Sequence, residues 1–359
     1  LTDADFTAVA WTHEASPKGP AVLRSSFRRS DPGLSVEVTY TLDPGRGVIR
    51  KQVAVTGTDA PVLVDRLEVE RFTPGHAATA HEGPGQPVYI GDLFWGCEHP
   101  AAENVVRDGT VSLGSLAGVE VAVGIPVFSR TSVVGAAFAG RVRDGFFEYL
   151  EGIRPFRRRP FVAQYTRFDL DPYDEDQAKK AIAALVQRMV KEYATPCQAY
   201  VLDEGWDAPA DPWRPDPSRF PQGLDPLRKA MEGSGMALGL RITAGGASHS
   251  GAPAAATAKR ACLGESETRR RLLERTASLM KEQGVSFLRI DGFAAPCSEA
   301  AHGHRVGPYA DVAAVDAVLE TLAGIRRARP DVFLLLGDGF RPSPWWLAHA
   351  DALWRGDAD

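Results

Sequence analysis

The chain is expected to fold as an antiparallel β-sandwich over residues 1–155, followed by an α/β barrel of the TIM type over residues 160–359 that stops after its sixth strand. Three observations predict this. Up to about residue 150 the sequence alternates apolar and polar residues at the strand period, between clusters of turn formers. Beyond residue 160, strand-length apolar runs alternate with helix-length amphipathic runs, the pattern of parallel strands joined by right-handed crossovers. Several of those runs end in carboxylates, and barrel enzymes carry their chemistry at the C-terminal ends of their strands.

In the first half, 34–42 (LSVEVTYTL) is an alternating strand closed by the turn former DPGRG at 43–47. Strands follow at 48–55 and 62–69, and the apolar, glycine-punctuated stretches 119–128 and 131–142 read as further strands. No helix is expected among them. The basic run 154–160 (RPFRRRP) is expected to be a solvated linker.

In the second half, 161–170 predicts a strand and 175–193 a helix. Strands follow at 198–203 and 236–243. A helix over 267–283 has Ser266 as its expected N-cap and Gly284 beyond its end. Further elements are a strand at 285–291, a helix at 309–328, a strand at 332–337 and the start of a sixth strand near Ala352. A closed barrel needs eight such units over ~250 residues, so the barrel is expected to be incomplete where this sequence ends.

Composition sets outer limits. The net charge is −5 and offers no basic field for nucleic acid. No apolar run reaches the roughly 20 residues of a membrane helix. The chain begins at Leu1 rather than Met, so its start is expected to be processed or clipped. The four cysteines are scattered without CxxC spacing, which favours free buried thiols, with one or two disulfides as the alternative. His302 and His304 form an HxH pair with no third ligand at metal spacing, so no metal site is expected.

The chemistry collects at strand ends. The second strand ends in Asp203, Glu204, Gly205 and Trp206; the third carries Arg241; the fourth carries Arg289 and Asp291; the sixth leads into Trp354, Asp357 and Asp359. An aspartate after a strand is often only a turn former. Carboxylates at three strand ends in series converge on one pocket, and a carboxylate pair flanking a sugar is the minimal apparatus of glycoside hydrolysis. Trp206, Trp213, Trp345, Trp346 and Trp354 offer flat apolar faces for a sugar ring.

These segments resemble the α-galactosidases (melibiases) of glycoside hydrolase family thirty-six. VLDEGWD at 201–207 is similar to their DDGW segment, FLRIDGF at 287–293 to their KWD or KFD nucleophile segment, and LWRGDAD at 353–359 to their W-x-S-D acid/base segment. LGLRITAGG at 238–246 resembles their third-strand G-L-W-x-S-P-G-G, and GDLFWGCEHPAAEN at 91–104 a loop of their N-terminal domain that reaches toward the active site.

The resemblance implies Asp291 as nucleophile and Asp357 as general acid/base, with Asp359 the alternative if the register is shifted. It implies Asp203 and Glu204 as ligands of sugar hydroxyls, with Trp206, Arg241, Arg289 and Trp354 also facing the substrate. It further implies a retaining mechanism without metal or organic cofactor, on an oligosaccharide or glycoside with an α-galactoside-like bond. The sequence departs from the family pattern at Glu204 (for Asp), Arg289 (for Lys), Arg241 (for an aromatic residue) and Phe168 (near a Trp), and lacks the Ser before Asp357. Arg for Lys is not conservative, because a planar fork replaces a point charge. Specificity is therefore expected to shift away from simple α-galactosides. A transglycosylase of the raffinose-synthase kind and a non-catalytic carbohydrate-binding protein are the alternatives.

Overall fold

A computed structural model describes residues 1–15, 19–43, 45–156, 160–168, 170, 173–244, 262–292 and 297–354. The chain divides into two compact units. One comprises Leu1–Pro155, Gly307–Val315 and Arg341–Ala348; the other comprises Phe156–Val306, Asp316–Phe340 and His349–Asp359.

The first unit contains two antiparallel sheets. The larger runs in the order Thr7–Glu14, Ala21–Ser30, Gly33–Asp43, Val48–Gly57, Ser132–Ala136, Leu93–Cys97, Val88–Ile90, Ala78–Ala80. The smaller is Val62–Phe72, Thr110–Val121, Glu103–Arg107. After the third strand Gly47 donates to the Asp43 carbonyl at 3.2 Å and sits at φ 62°, where a side chain would be strained. The sheets meet through their apolar faces. Leu34 and Val55 of the larger pack with Val121, Val62, Val64 and Leu67 of the smaller, and Val88, Ile90 and Cys97 with Val69, Val111 and Leu113.

This unit also holds a helix that the sequence reading missed. The stretch read as one strand over 131–142 is a short strand, Ser132–Ala136, followed by the helix Val142–Ile153. Phe146, Tyr149 and Leu150, at the i, i+3, i+4 spacing of one helical face, are buried against Val48, Phe94, Val133 and Trp345. Phe146 meets the Trp345 ring edge-on at 5.2 Å between centroids. Burial of each such side chain stabilises by ~1.5–3 kcal/mol. Nor is the basic run a wholly solvated linker: Arg154 is buried and pairs with Glu151 at 2.6 Å.

The second unit is built on a six-stranded parallel sheet in chain order: Ala163–Tyr165, Ala199–Leu202, Ala237–Thr243, Phe287–Asp291, Phe333–Leu336, Ala352–Leu353. The sheet is strongly curled. Phe161, leading into the first strand, stacks on Phe333 of the fifth at 4.3 Å between ring centroids, whereas four strand steps in a flat sheet would span ~19 Å. Phe287, parallel to Phe333 within 6°, completes an aromatic floor on the concave face. The convex face carries Tyr200, Leu202, Leu238, Leu240, Ile242, Leu288, Ile290, Leu334 and Leu336, all fully buried, as on the side a barrel turns toward its helices.

The helices Glu175–Leu185, Ser266–Glu282 and Ala310–Ala328 lie near their expected positions. Asp174 and Gln177 form a capping box on the first of these, and its chain continues as a π-helical turn through Val186–Glu192. The N-cap of the second is Glu265, not Ser266, which is already helical. No helix among the described residues is long and apolar enough to cross a membrane.

Candidate active site

Strand parity decides which side chains share the concave face. In the register of the sheet, Val201, Gly239, Phe287 and Phe333 lie side by side, as do Arg241, Arg289 and Leu335 one pleat higher, then Thr243 and Asp291. The inner face thus changes from apolar to charged toward the C-terminal strand ends, where Asp203 and Asp291 stand.

These groups form one network. Asp291 is fully buried. Its Oδ1 accepts from Arg289 Nε at 3.0 Å and from the backbone N–H of Asp338 at 3.1 Å. Its Oδ2 accepts from Arg289 Nε at 3.1 Å and from Arg241 Nε. Arg241 Nη1 reaches Asp203 Oδ1 at 2.7 Å and Glu204 Oε1 at 2.6 Å. Arg289 Nη2 reaches Asp338 Oδ2 at 3.0 Å. Two guanidinium forks therefore hold four carboxylates at three strand ends, and charge-assisted forks are the strong form of such contacts. Burial opposes the charge on Arg241, but Asp291, Asp203 and Glu204 together hold its pKa above the ordinary value. Burial also pushes the Tyr165 phenol up to about 12, with Asp203 and Asp291 adding to the effect, so Tyr165 is a neutral hydroxyl at the side of the network.

Backbone features fix this arrangement. Asp203 N–H donates to Thr166 Oγ1 at 2.9 Å, and Tyr173 OH donates to the Asp203 carbonyl at 2.8 Å. Asp203 Oδ1 also accepts from Glu204 N–H at 2.8 Å, whereas the buried Oδ2 has no partner among the described residues. Gly292, at φ 76°, turns the chain directly after Asp291, and its N–H donates to the Asp338 carbonyl at 2.8 Å. Gly337 stands beside the carboxylate of Asp291, with no room for a side chain.

The expected site residues divide accordingly. The fold brings Asp203, Glu204, Arg241, Arg289 and Asp291 together. The Trp354 ring lies over the Arg289 guanidinium at 5.1 Å and is half exposed, so it keeps an open face. The expectation that Trp206 offers a face to a sugar is corrected: its ring is fully buried and its Nε1–H donates to the Arg241 carbonyl at 2.7 Å, so it supports the strand that carries Arg241. Trp213 is likewise buried and donates to the Thr243 carbonyl at 3.0 Å. Asp357, its alternative Asp359 and the Phe168 side chain lie outside the described residues. Asp338 and Gly337 were not singled out from sequence; the signal was a Gly-Asp pair ending the fifth strand, in line with the other strand ends.

The expectation of no metal site rested on sequence spacing alone, which does not register residues brought together by the fold. Cys262 and Cys297 come to His302 and His304, with all four ligand atoms within 4.8 Å of one another. None of the four cysteines is disulfide-bonded, and Cys97 and Cys197 are buried thiols.

No protein-family model matches the chain, and no curated protein matches it. Solved structures do. A family 36 α-galactosidase from Geobacillus stearothermophilus, a variant in complex with stachyose, is similar at a TM-score of 0.69 and 12% identity, over 98% of this chain and 62% of its own. The galactosidase domain of an α-galactosidase–sucrose kinase is similar at 0.70 and 12%, over 98% of this chain and 61% of its own. An α-galactosidase from Lactobacillus brevis is similar at 0.67 and 14%, over 98% and 60%. The chain spans about three fifths of the length of these structures. What is shared at this identity is the fold, and that fold is the one on which family 36 α-galactosidases are built.

Proposed function

We propose that this chain carries the sandwich and the nucleophile-bearing part of the barrel of a retaining α-glycosidase acting on α-galactoside-like oligosaccharides. The observation that carries the reading is the placement of Asp291: at the C-terminal end of the fourth barrel strand, on the concave face, held by Arg289 and Arg241 and joined through Arg241 to Asp203 and Glu204. The fold is that of enzymes captured with stachyose, raffinose and 1-deoxygalactonojirimycin, which supports a sugar of that class as ligand.

In this reading the Asp291 carboxylate attacks the anomeric carbon as the bond to the leaving oxygen breaks, giving a glycosyl ester. Asp357 delivers a proton to that oxygen, then takes one from the water that cleaves the ester. Arg241 is linked to Asp291 in the resting site, so its fork turns toward sugar hydroxyls as Asp291 is freed to attack. Asp203 and Glu204 accept hydrogen bonds from those hydroxyls.

A second reading has a specific observation in its favour. Both Asp291 oxygens are already taken by guanidinium and backbone donors, which lowers nucleophilicity and suits a protein that binds glycans without cleaving them. The deciding experiment incubates the protein with a 2-deoxy-2-fluoro α-glycoside bearing an activated leaving group and maps labelled peptides by mass spectrometry. Labelling of Asp291, lost in Asp291→Asn, is expected. Saturable glycan binding with neither label nor turnover would establish the binding protein instead, and product analysis with an acceptor sugar separates hydrolysis from transfer.

A further inference from the structure

Four side chains outside the carboxylate network meet at one point. Cys262 lies in the connection between the third barrel strand and the helix Ser266–Glu282. Cys297, His302 and His304 lie in the connection between the fourth strand and the helix Ala310–Ala328. Cys262 Sγ is 3.3 Å from His304 Nε2, and Cys297 Sγ is 3.3 Å from His302 Nδ1. All four ligand atoms lie within 4.8 Å of one another, and all four residues are half-buried. We propose that Cys262, Cys297, His302 and His304 form a tetrahedral zinc site that ties these two connections together.

The donor set selects the ion. Two sulfurs and two imidazoles suit zinc and exclude magnesium and calcium, which take oxygen ligands. Zinc bonds of ~2.0–2.3 Å in a tetrahedron put the ligand atoms about 3.3–3.8 Å apart, the separation of the two Cys–His pairs here. With four protein ligands the site is closed, which is the structural rather than the catalytic form.

The surroundings fit. His304 Nδ1 is 2.9 Å from the Arg305 carbonyl; with the proton on Nδ1 it donates there, so Nε2 presents its lone pair toward Cys262. His302 presents Nδ1 instead. Cys297 Sγ accepts from the Glu299 N–H at 3.4 Å, which supports a thiolate. A Cβ at Gly264 would come within 2.3 Å of the His304 ring, so only glycine lets the chain from Cys262 pass the imidazole so closely. The ordinary alternative for two adjacent thiols is a disulfide, but that leaves the two imidazoles turned onto the sulfurs without a role. On binding, two thiol protons pass to solvent and the metal–ligand unit becomes neutral, which suits a half-buried position.

The site closes across the connections that follow the strands bearing Arg241 and Asp291, so its place is structural and independent of the reaction those residues perform. The test uses the full chain, purified under reducing conditions without metal-chelating resin, reconstituted with zinc sulfate and dialysed. Elemental analysis is expected to give one zinc per chain, and cobalt substitution to give the intense visible bands of tetrahedral sulfur–nitrogen coordination. Cys262→Ser/Cys297→Ser should reduce zinc to background, and His302→Ala should weaken affinity by at least ~10-fold. The cobalt spectrum is read on the unaltered chain, so it stands even if a variant misfolds. Absence of zinc from folded, reduced, reconstituted protein, or equal zinc in the double-cysteine variant, would overturn the proposal.

Discussion

Gly337 and Asp291 occupy adjoining space with nothing to spare: a Cβ on Gly337 would stand 1.6 Å from Asp291 Oδ1 and 2.8 Å from Arg289 Nε. The carboxylate at the end of the fourth strand therefore depends on a missing side chain at the end of the fifth. Gly337→Ala is expected to push Asp291 and Arg289 aside. Displacing a reacting group by an ångström costs on the order of 100-fold in rate, and overpacking costs ~1–3 kcal/mol. Comparison of kcat and Tm with the parent protein checks both. Unchanged turnover would show that Asp291 is not where the chemistry happens.

Arg241 is the only cation in contact with both Asp203 and Glu204 among the described ion pairs, and it also binds Asp291. Arg241→Ala strips three carboxylates of that partner at once. Breaking a buried pair by removing one side costs ~3–5 kcal/mol, which urea unfolding should register. Arg241→Lys should recover only part of it, since an ammonium cannot fork to several carboxylates in one plane.

Asp203 Oδ2 is a buried acceptor with no partner among the described residues, and in the proposed function it is the oxygen that a ligand hydroxyl would satisfy. Asp203→Asn should weaken sugar binding by the worth of a charge-assisted hydrogen bond, ~1.5–3 kcal/mol, which is roughly 10- to 100-fold in Kd. Calorimetric titration with a galactoside and with its deoxy analogues measures it. Equal losses for every deoxy analogue would rule out a specific hydroxyl partner.

In the proposed function, Glu204 and Arg241 would also bear on specificity. A longer carboxylate tied to a guanidinium alters which hydroxyls are satisfied, and a polar site rejects analogues that leave its groups unpaired. An aryl α-galactoside is expected to be turned over less efficiently than at least one other aryl α-glycoside. A kcat/KM series over such glycosides decides it.

Alkali should unfold the protein in a defined window. Burial pushes the Cys97 thiol from 9.0 up to about 12, and the Tyr165 phenol from 10.0 up to about 12. Each folded pKa is raised, so each stabilisation is complete below the unfolded pKa and is lost as pH climbs through the folded one. Stability should fall between pH 9 and about 12, by ~1.4 kcal/mol per pH unit for each titrating group. Cys97→Ala should lessen the fall from pH 9, and Tyr165→Phe the fall from pH 10, while the buried phenols of Tyr149 and Tyr173, whose pKa values burial also raises, keep contributing.

The sequence made the barrel strands legible because each is a short apolar run ending in a polar residue, and strand parity alone places Asp203, Arg241, Arg289 and Asp291 on one face. The helix Val142–Ile153 was hidden because Gly145 and Gly152 break its pattern and only Phe146, Tyr149 and Leu150 mark its buried side. Trp206 misled because an aromatic residue beside carboxylates suggests a platform; the indole is instead consumed in packing. The cluster of Cys262 with Cys297, His302 and His304 is closed by tertiary structure across 35 residues of chain, a distance no spacing rule reads. Gly337 matters through contact with a neighbouring strand, information that a linear sequence does not carry.

The aromatic floor of Phe161, Phe287 and Phe333 fills the concave face of the curled sheet below the charged network of Arg241, Arg289 and Asp291. In the proposed function, a departing aglycone and an incoming water or sugar would share the space above that floor, and the fate of a glycosyl group on Asp291 would be settled by which of them reaches it first.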